Sequence, residues 1–307
     1  MTEPVEAPVG HASPRALAWQ RRRRSAVRFW QQYRTHRAGV FGLATLALFA
    51  LVALTAPLTV GSDVQSVTEA PGQPLESPSG AFPLGTDRFG RSLLGLLIWG
   101  ARVSLLVGLL AAVLSVAIGA FIGITAGHFR GRYATVIMRI TDWFLVMPTL
   151  VLAIVLATVM SRSLGTIVLA IGVTTWPTTA RLVRAQTLAV ESRPYIERAK
   201  ALGGGHWHIM SRHVLPNVMP LVLAQTTLII SSAILAEATL AFLGLGDPTV
   251  VSWGGLLQDA REAGAVSAGD WWYLVPPGIA IAVVALAFTL CGRAVESVLN
   301  PRLGVAR

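Results

Sequence analysis

The chain has 307 residues but only one lysine and one cysteine, and 13% of its residues are charged. The lysine, Lys200, is followed by Ala201. A phosphate-binding P-loop requires Gly-Lys-Ser/Thr, so the chain has no such loop with which to hydrolyse ATP. The cysteine, Cys291, lies in the last apolar run, so no disulfide can form within the chain and pairing says nothing of the compartment. The six histidines (His11, His36, His128, His206, His208, His213) all lie outside the apolar runs. No intramembrane His or Cys cluster is therefore available for a metal or a nucleophile–base pair. His206 and His208 are two apart and point away from each other on a helix. A membrane-embedded enzyme is not expected, and neither is a metal site.

What the chain does have is apolar length. Hydrophobic residues make up 53% of it and its mean hydropathy is +0.61, which places it among membrane proteins. Six spans are predicted, at about 38–60, 103–127, 137–160, 164–182, 218–243 and 272–292. The first starts at Ala38 and is too long for the apolar part of a signal peptide, so it is expected to remain as a membrane helix. Before it, Arg21–Arg24 and the three-residue spacing of Val27, Trp30 and Tyr33 suggest a basic surface helix on the bilayer. Residues 61–82, rich in Pro, Gly and Ser, read as an exposed loop without a core. In the second span Ser115, Gly119, Gly123 and Gly127 fall at every fourth position, a groove for close helix packing. Pro148 lies inside the third span and Trp176-Pro177 in the later half of the fourth, positions that often mark a bend beside a cavity. Gln225, Ser232 and Thr239 share one face of the fifth span, lining a path or bonding a neighbouring helix. Pro148, Trp176, Gln225 and Ser232 are the candidates for a solute pathway.

Six spans put both ends on one side. That side then carries 20 of the 25 Arg and Lys residues, leaving Arg88, Arg91, Arg102, Arg162 and Arg261 opposite. The bias places both termini in the cytoplasm. Topology thus accounts for the net charge of +10, and a nucleic-acid partner is not needed. No ionisable residue is expected at a span centre: Asp142 sits near the start of its helix and Glu237 near the outer end of its own. An ion-coupled secondary transporter, the rival reading, usually holds such a residue there.

The one long polar interruption in the second half runs from Glu191 to Asn217. Pro194 suits a first helical turn and Gly203 a left-handed stop, which predicts a helix over 194–203. Tyr195, Ala199 and Leu202 recur at i, i+4 and i+7 as its small apolar stripe. A second short helix, roughly 205–213, is expected to end before Pro216. A mere connector needs a few residues, not two helices; the segment looks made to be gripped by another protein. Glu197 either neutralises Arg193 or Lys200 or reaches a donor on that partner.

Glu197-Arg198-Ala199, three residues, Gly203, nine residues and His213-Val214-Leu215-Pro216 resemble the EAA loop of ABC-importer permeases, with the ending of the peptide/nickel branch. Arg198 stands where that motif usually has Ala. Pro83–Arg91, Gly100–Leu105, Leu240–Gly246, Ser252-Trp253-Gly254 and Asn300–Leu303 resemble further segments of the same branch. The resemblance implies an all-α membrane protein with six transmembrane helices in the type I ABC-importer permease fold. It implies a basic tail (1–37), a first helix (38–60), an outer loop (61–101), a permease core (102–296, with a coupling loop at 186–217) and a short tail (297–307). Tyr195, Glu197, Arg198, Ala199, Lys200, Leu202, Gly203 and Gly204 would couple to the ATPase, and Trp253 would contact a binding protein, roof the pathway or anchor in the membrane interface. Implied partners are a homologous permease subunit in a heterodimer, two ATPase domains that bind ATP and Mg, and an extracytoplasmic substrate-binding protein. The implied cargo is a di- or oligopeptide, nickel or another small solute, carried across the bacterial cytoplasmic membrane.

Overall fold

The computed structural model describes residues 14–299, so the expectations for residues 1–13 and for the Asn300–Leu303 motif lie outside the described residues. In chain order the helices are α1 (Pro14–Thr35), α2 (Arg37–Thr59), α3 (Leu93–His128), α4 (Arg132–Val146), α5 (Thr149–Val159) and α6 (Leu164–Glu191). They continue with α7 (Pro194–Ala201), α8 (His206–Ile209), α9 (Leu215–Phe242), α10 (Trp253–Glu262), α11 (Ala265–Ala268) and α12 (Trp271–Leu299). No β-strand forms among the described residues. Helices α2, α3, α6, α12 and the continuous stretch His206–Phe242 are each long and apolar enough to cross a membrane.

The direction of each span follows from the residues that meet. Thr175 Oγ1 donates to Ser115 Oγ at 2.9 Å. A Cβ added to Gly119, Gly123 or Gly127 would lie 2.6, 2.7 or 2.6 Å from the Cβ of Thr179, Val183 or Thr187. Each α6 partner is numbered 60 above its α3 partner, so α3 and α6 run parallel, with the backbones drawn together along the groove of small residues. Helix α9 runs antiparallel to α3, with Ser104 against Glu237 and Gly108 against Ile234. Helix α12 opposes α9 (Ser231 against Ala285, Gly292 against Leu228) and α2 (Gly39 against Ala294, Gly42 against Cys291). Since α3 and α6 are parallel, α4 and α5 must return the chain from the end of one to the start of the other.

That return breaks the span expected over 137–160 into two helices at Pro148, one of the positions expected to mark a bend. Helices α4 and α5 meet at a 91° bend. Met147 is extended there (φ −75°, ψ 136°), as the residue before a proline prefers, and Pro148 stands ahead of α5 rather than within a helix. Two other boundaries also move. Helix α3 begins at Leu93, inside the expected 61–101 loop, and α6 runs on to Glu191. Apolar runs mark the lipid-facing length of a helix, and hydrogen bonding carries the helix further into polar sequence. The short helix expected over 205–213 does not stop before Pro216. It passes through one π turn, Met210–Val214, into α9. The wider turn accommodates a proline whose ring would clash with the carbonyl four residues back.

Residues 61–82, expected as a loop without a core, fold back onto residues 83–92 instead. Gly72 N donates to Gly90 O (3.0 Å), Leu75 N to Asp87 O (2.9 Å) and Thr86 N to Glu76 O (3.0 Å). Leu75 and Leu84 cover a small core of Leu93, Ala260, Ala265 and Tyr273. Gly90 has φ +83°, and a Cβ there would run into Gly72 O, so both the turn and the close approach require glycine. The helical bundle thus has a folded cap at its α10 end, and α7 and α8 lie at the opposite end, between α6 and α9.

Candidate functional site

Helix α7 is built as the sequence predicts. Pro194 occupies the first turn, and Gly203 follows the last with φ +83°. Gly203 N donates to Lys200 O (3.0 Å) and Gly204 N to Ala199 O (2.9 Å), the pair of bonds that closes a helix through a left-handed glycine. Ile196 is the buried residue of α7 and anchors it to the body. The Tyr195–Ala199–Leu202 stripe turns outward: Tyr195 is 39% exposed and Leu202 89%. Trp207 of α8, which no sequence pattern singles out, is 74% exposed. Glu197 and Arg198 are exposed and form no ion pair among the described residues.

Lys200 is different. The resemblance puts it on the docking face, but its Nζ donates to Glu191 Oε2 at 2.6 Å, which also removes it as a partner for Glu197. The other oxygen of Glu191 accepts from His128 Nδ1 at 2.5 Å. His128 Nε2 lies 2.9 Å from His206 Nδ1, and Phe129 packs on both imidazoles. The Glu191 and His128 side chains are buried. One carboxylate therefore ties the end of α6 to the end of α3, to α7 and, through His128, to α8. Sequence reasoning misses this cluster because its members are far apart in the chain. The available signal is the four-residue ladder Thr175, Thr179, Val183, Thr187, which matches that of Ser115–Gly127 and brings the ends of the two helices together.

A cleft of about 190 Å³ opens between α4, α6 and α9. Gln225 and Ser232 line it, with Thr149, Thr174, Thr175 and Thr178, so the hydroxyl and amide side chains of α5, α6 and α9 converge and no charged side chain does. The expected pathway residue Trp176 is not there. It is buried with its ring 5.5 Å from Phe144, and Pro177 takes the lining position. Pro148 is adjacent to the cleft, at the bend, and its neighbour Thr149 lines it. Thr239, on the same predicted stripe, borders a separate apolar groove with Phe242 and Ala282. Just beyond Thr178 and Phe144, toward α7, Arg181 Nη2 donates to Asp142 Oδ1 at 2.6 Å, both side chains exposed.

At the α10 end, Trp253 corrects its expectation as a contact or belt residue. It is 0% exposed. Its Nε1 donates to Leu97 O (2.9 Å), its backbone N to Ser104 Oγ (3.2 Å), and Phe49 meets its ring edge-on. The Ser104 hydroxyl donates to the wholly buried Glu237 at 3.1 Å. Around these, Asp87 accepts from Phe89 N, Arg91 N and Arg91 Nε at 2.7–2.9 Å. Arg88 bridges Asp259 (2.7 Å) and Glu262 (2.8 Å) of α10. Burial pushes the Asp259 carboxyl up, against the pull of the Arg88 and Arg91 guanidinia beside it.

Residues 119–305, more than half of the chain, match the family described as binding-protein-dependent transport system inner membrane component. The chain belongs to that family. Residues 26–75 match the N-terminal transmembrane domain of oligopeptide transport permease C. Among relatives, a di/tripeptide transport system permease protein of Pseudomonas aeruginosa is 36% identical over 280 residues, covering 90% of this chain and 91% of its own. A dipeptide transport system permease protein of Bacillus subtilis is 34% identical over 277 residues (89% and 85%). A glutathione transport system permease protein of Pectobacterium atrosepticum is 32% identical over 277 residues (90% and 90%). An all-α, multi-pass permease of this family is what the bundle describes, and the secondary-transporter reading is set aside.

Proposed function

We propose that the chain is the C-type permease subunit of an ATP-driven importer that carries di- or oligopeptides, or a similarly sized solute, across the cytoplasmic membrane. The observation that carries the reading is α7: a helix closed by Gly203 and Gly204, anchored by Ile196, and presenting Tyr195 and Leu202 outward, with Trp207 exposed on α8, on a permease of this family. Exposed aromatic and aliphatic side chains of this kind serve as anchors when a partner covers them. The partner is an ATPase domain, which supplies the ATP and Mg chemistry that a chain with one lysine outside a P-loop lacks. A homologous but different permease subunit, a second ATPase domain and an extracytoplasmic binding protein complete the complex. Both termini and α7 lie in the cytoplasm in this reading, which the arginine bias supports. The uncharged cleft at Gln225 and Ser232 is this subunit's wall of the pathway; hydroxyls and amides can bond a peptide backbone without selecting among side chains.

The test uses the assembled complex. Gly203→Val forces a β-branched residue into a left-handed position and re-aims α7; Glu197→Arg reverses an exposed charge. Both variants should insert in the membrane, with uptake of labelled dipeptides lost and the ATPase either absent from the purified complex or no longer stimulated by binding protein. Uptake at the wild-type rate with the ATPase bound would reject the loop as the coupling element. Orientation is read separately in a Cys291→Ser background. Val67→Cys and Val266→Cys, both at exposed positions, should react with an impermeant maleimide in intact cells, and Arg212→Cys should not.

A further inference from the structure

The coupling reading requires α7 to move the membrane helices, yet α7 is only eight residues long and meets the body through one buried side chain, Ile196. A single apolar contact can slide. Polar bonds of fixed length resist sliding, and the Glu191 cluster provides them. Lys200 Nζ, on the last turn of α7, is 2.6 Å from one carboxylate oxygen. His128, the last residue of α3, is 2.5 Å from the other. His206, the first residue of α8, is 2.9 Å from the far side of the same imidazole. Both oxygens of Glu191 are used, on opposite sides, by elements 63 and nine residues away in the chain. A surface ion pair can be lost with little effect, but here the carboxylate and imidazole are both buried, so releasing either leaves a desolvated polar group.

We infer that Glu191 is the positioning residue that makes α7, α8 and the ends of α3 and α6 one rigid body, so that displacement of α7 by the ATPase reaches the two parallel helices without slippage. The inference rests on the coupling reading and adds its mechanical link. Glu191 touches neither solute nor nucleotide; it acts by holding α7 at a fixed distance from α3. The parallel α3–α6 seam then moves as a unit, and α6 carries one wall of the cleft, with Thr174, Thr175 and Thr178.

The experiment follows the cleft directly and needs no knowledge of the solute. In the assembled complex, in a Cys291→Ser, Ser232→Cys background, the rate of labelling by an impermeant maleimide is compared without nucleotide and after trapping with ATP and vanadate. Nucleotide should shift the labelling rate in the parent. Glu191→Gln keeps the size and one acceptor but removes the ion pair with Lys200; Lys200→Met removes it from the half-exposed side and leaves the carboxylate its bond to His128. Both should retain the bound ATPase and lose the nucleotide-dependent shift. If both variants keep the shift, the brace is rejected. Gly203→Val in the same assay separates the two ideas: if it loses the shift while the Glu191 and Lys200 variants keep it, the loop couples by another route. If Gly203→Val also keeps the shift, the coupling reading fails along with the brace. Should Glu191→Gln fail to insert, the Lys200→Met outcome alone decides.

Discussion

The two ends of the bundle are both polar, but they are built for opposite purposes. At the α10 end, residues 61–92 and α10 are locked onto the helices by backbone bonds, by the Asp87–Arg91 and Arg88–Asp259–Glu262 pairs and by a wholly buried Trp253. At the α7 end the fixed part is small and the large apolar side chains, Leu202 and Trp207, point away from the chain. Two tryptophans in polar sequence thus have unrelated jobs. One is core, and the other is exposed surface.

The sharpest way to break this contrast is to truncate both. Trp253→Ala removes a buried ring together with its bond to Leu97 O, and should destabilise the detergent-solubilised complex by about 3–5 kcal/mol, read as a large fall in its melting temperature. Asp87→Asn keeps the shape of the turn but removes the nearer of the two carboxylates that Arg91 pairs with; a loss of about 1.5–3 kcal/mol is expected in the same measurement. Trp207→Ala and Leu202→Ser should change the subunit's own stability by no more than about 0.5 kcal/mol. They should nevertheless weaken retention of the ATPase on purification, because an anchor that a partner covers is worth about 2 kcal/mol or more. A Trp207→Ala subunit that unfolds like the Trp253→Ala one would erase the distinction between the two ends. Smallest of all, Arg181→Ala cuts an exposed pair with Asp142 and should cost about 0–1 kcal/mol, a shift that high salt reproduces in the parent.

Local features are legible in the amino-acid sequence itself. The stop at Gly203, the start at Pro194 and the packing groove from Ser115 to Gly127 each depend on residues within a turn or two of one another, so spacing is enough. Features assembled from distant residues are not legible in this way. Whether a loop tryptophan faces a partner or fills a core depends on Leu97, Ser104 and Phe49, none of them near it in sequence. Trp176 is a pathway candidate only through its neighbour Pro177, and the helix turns the proline toward the cleft instead. Pro148 marks the bend in the sequence, but the break into two separate helices is not legible there, because apolar composition continues across it. Lys200 has the look of a docking residue while its partner, Glu191, sits nine residues back, across the turn between two helices.

The Glu191–Lys200 pair also makes the subunit chemically addressable at one point. Because Lys200 is the only lysine and its side chain is 47% exposed, a lysine-specific protease has a single peptide bond to find, on the last turn of α7. Protection of that bond when the ATPase is added, and its exposure when the complex is taken apart, would report the seating of α7 on the unlabelled native protein.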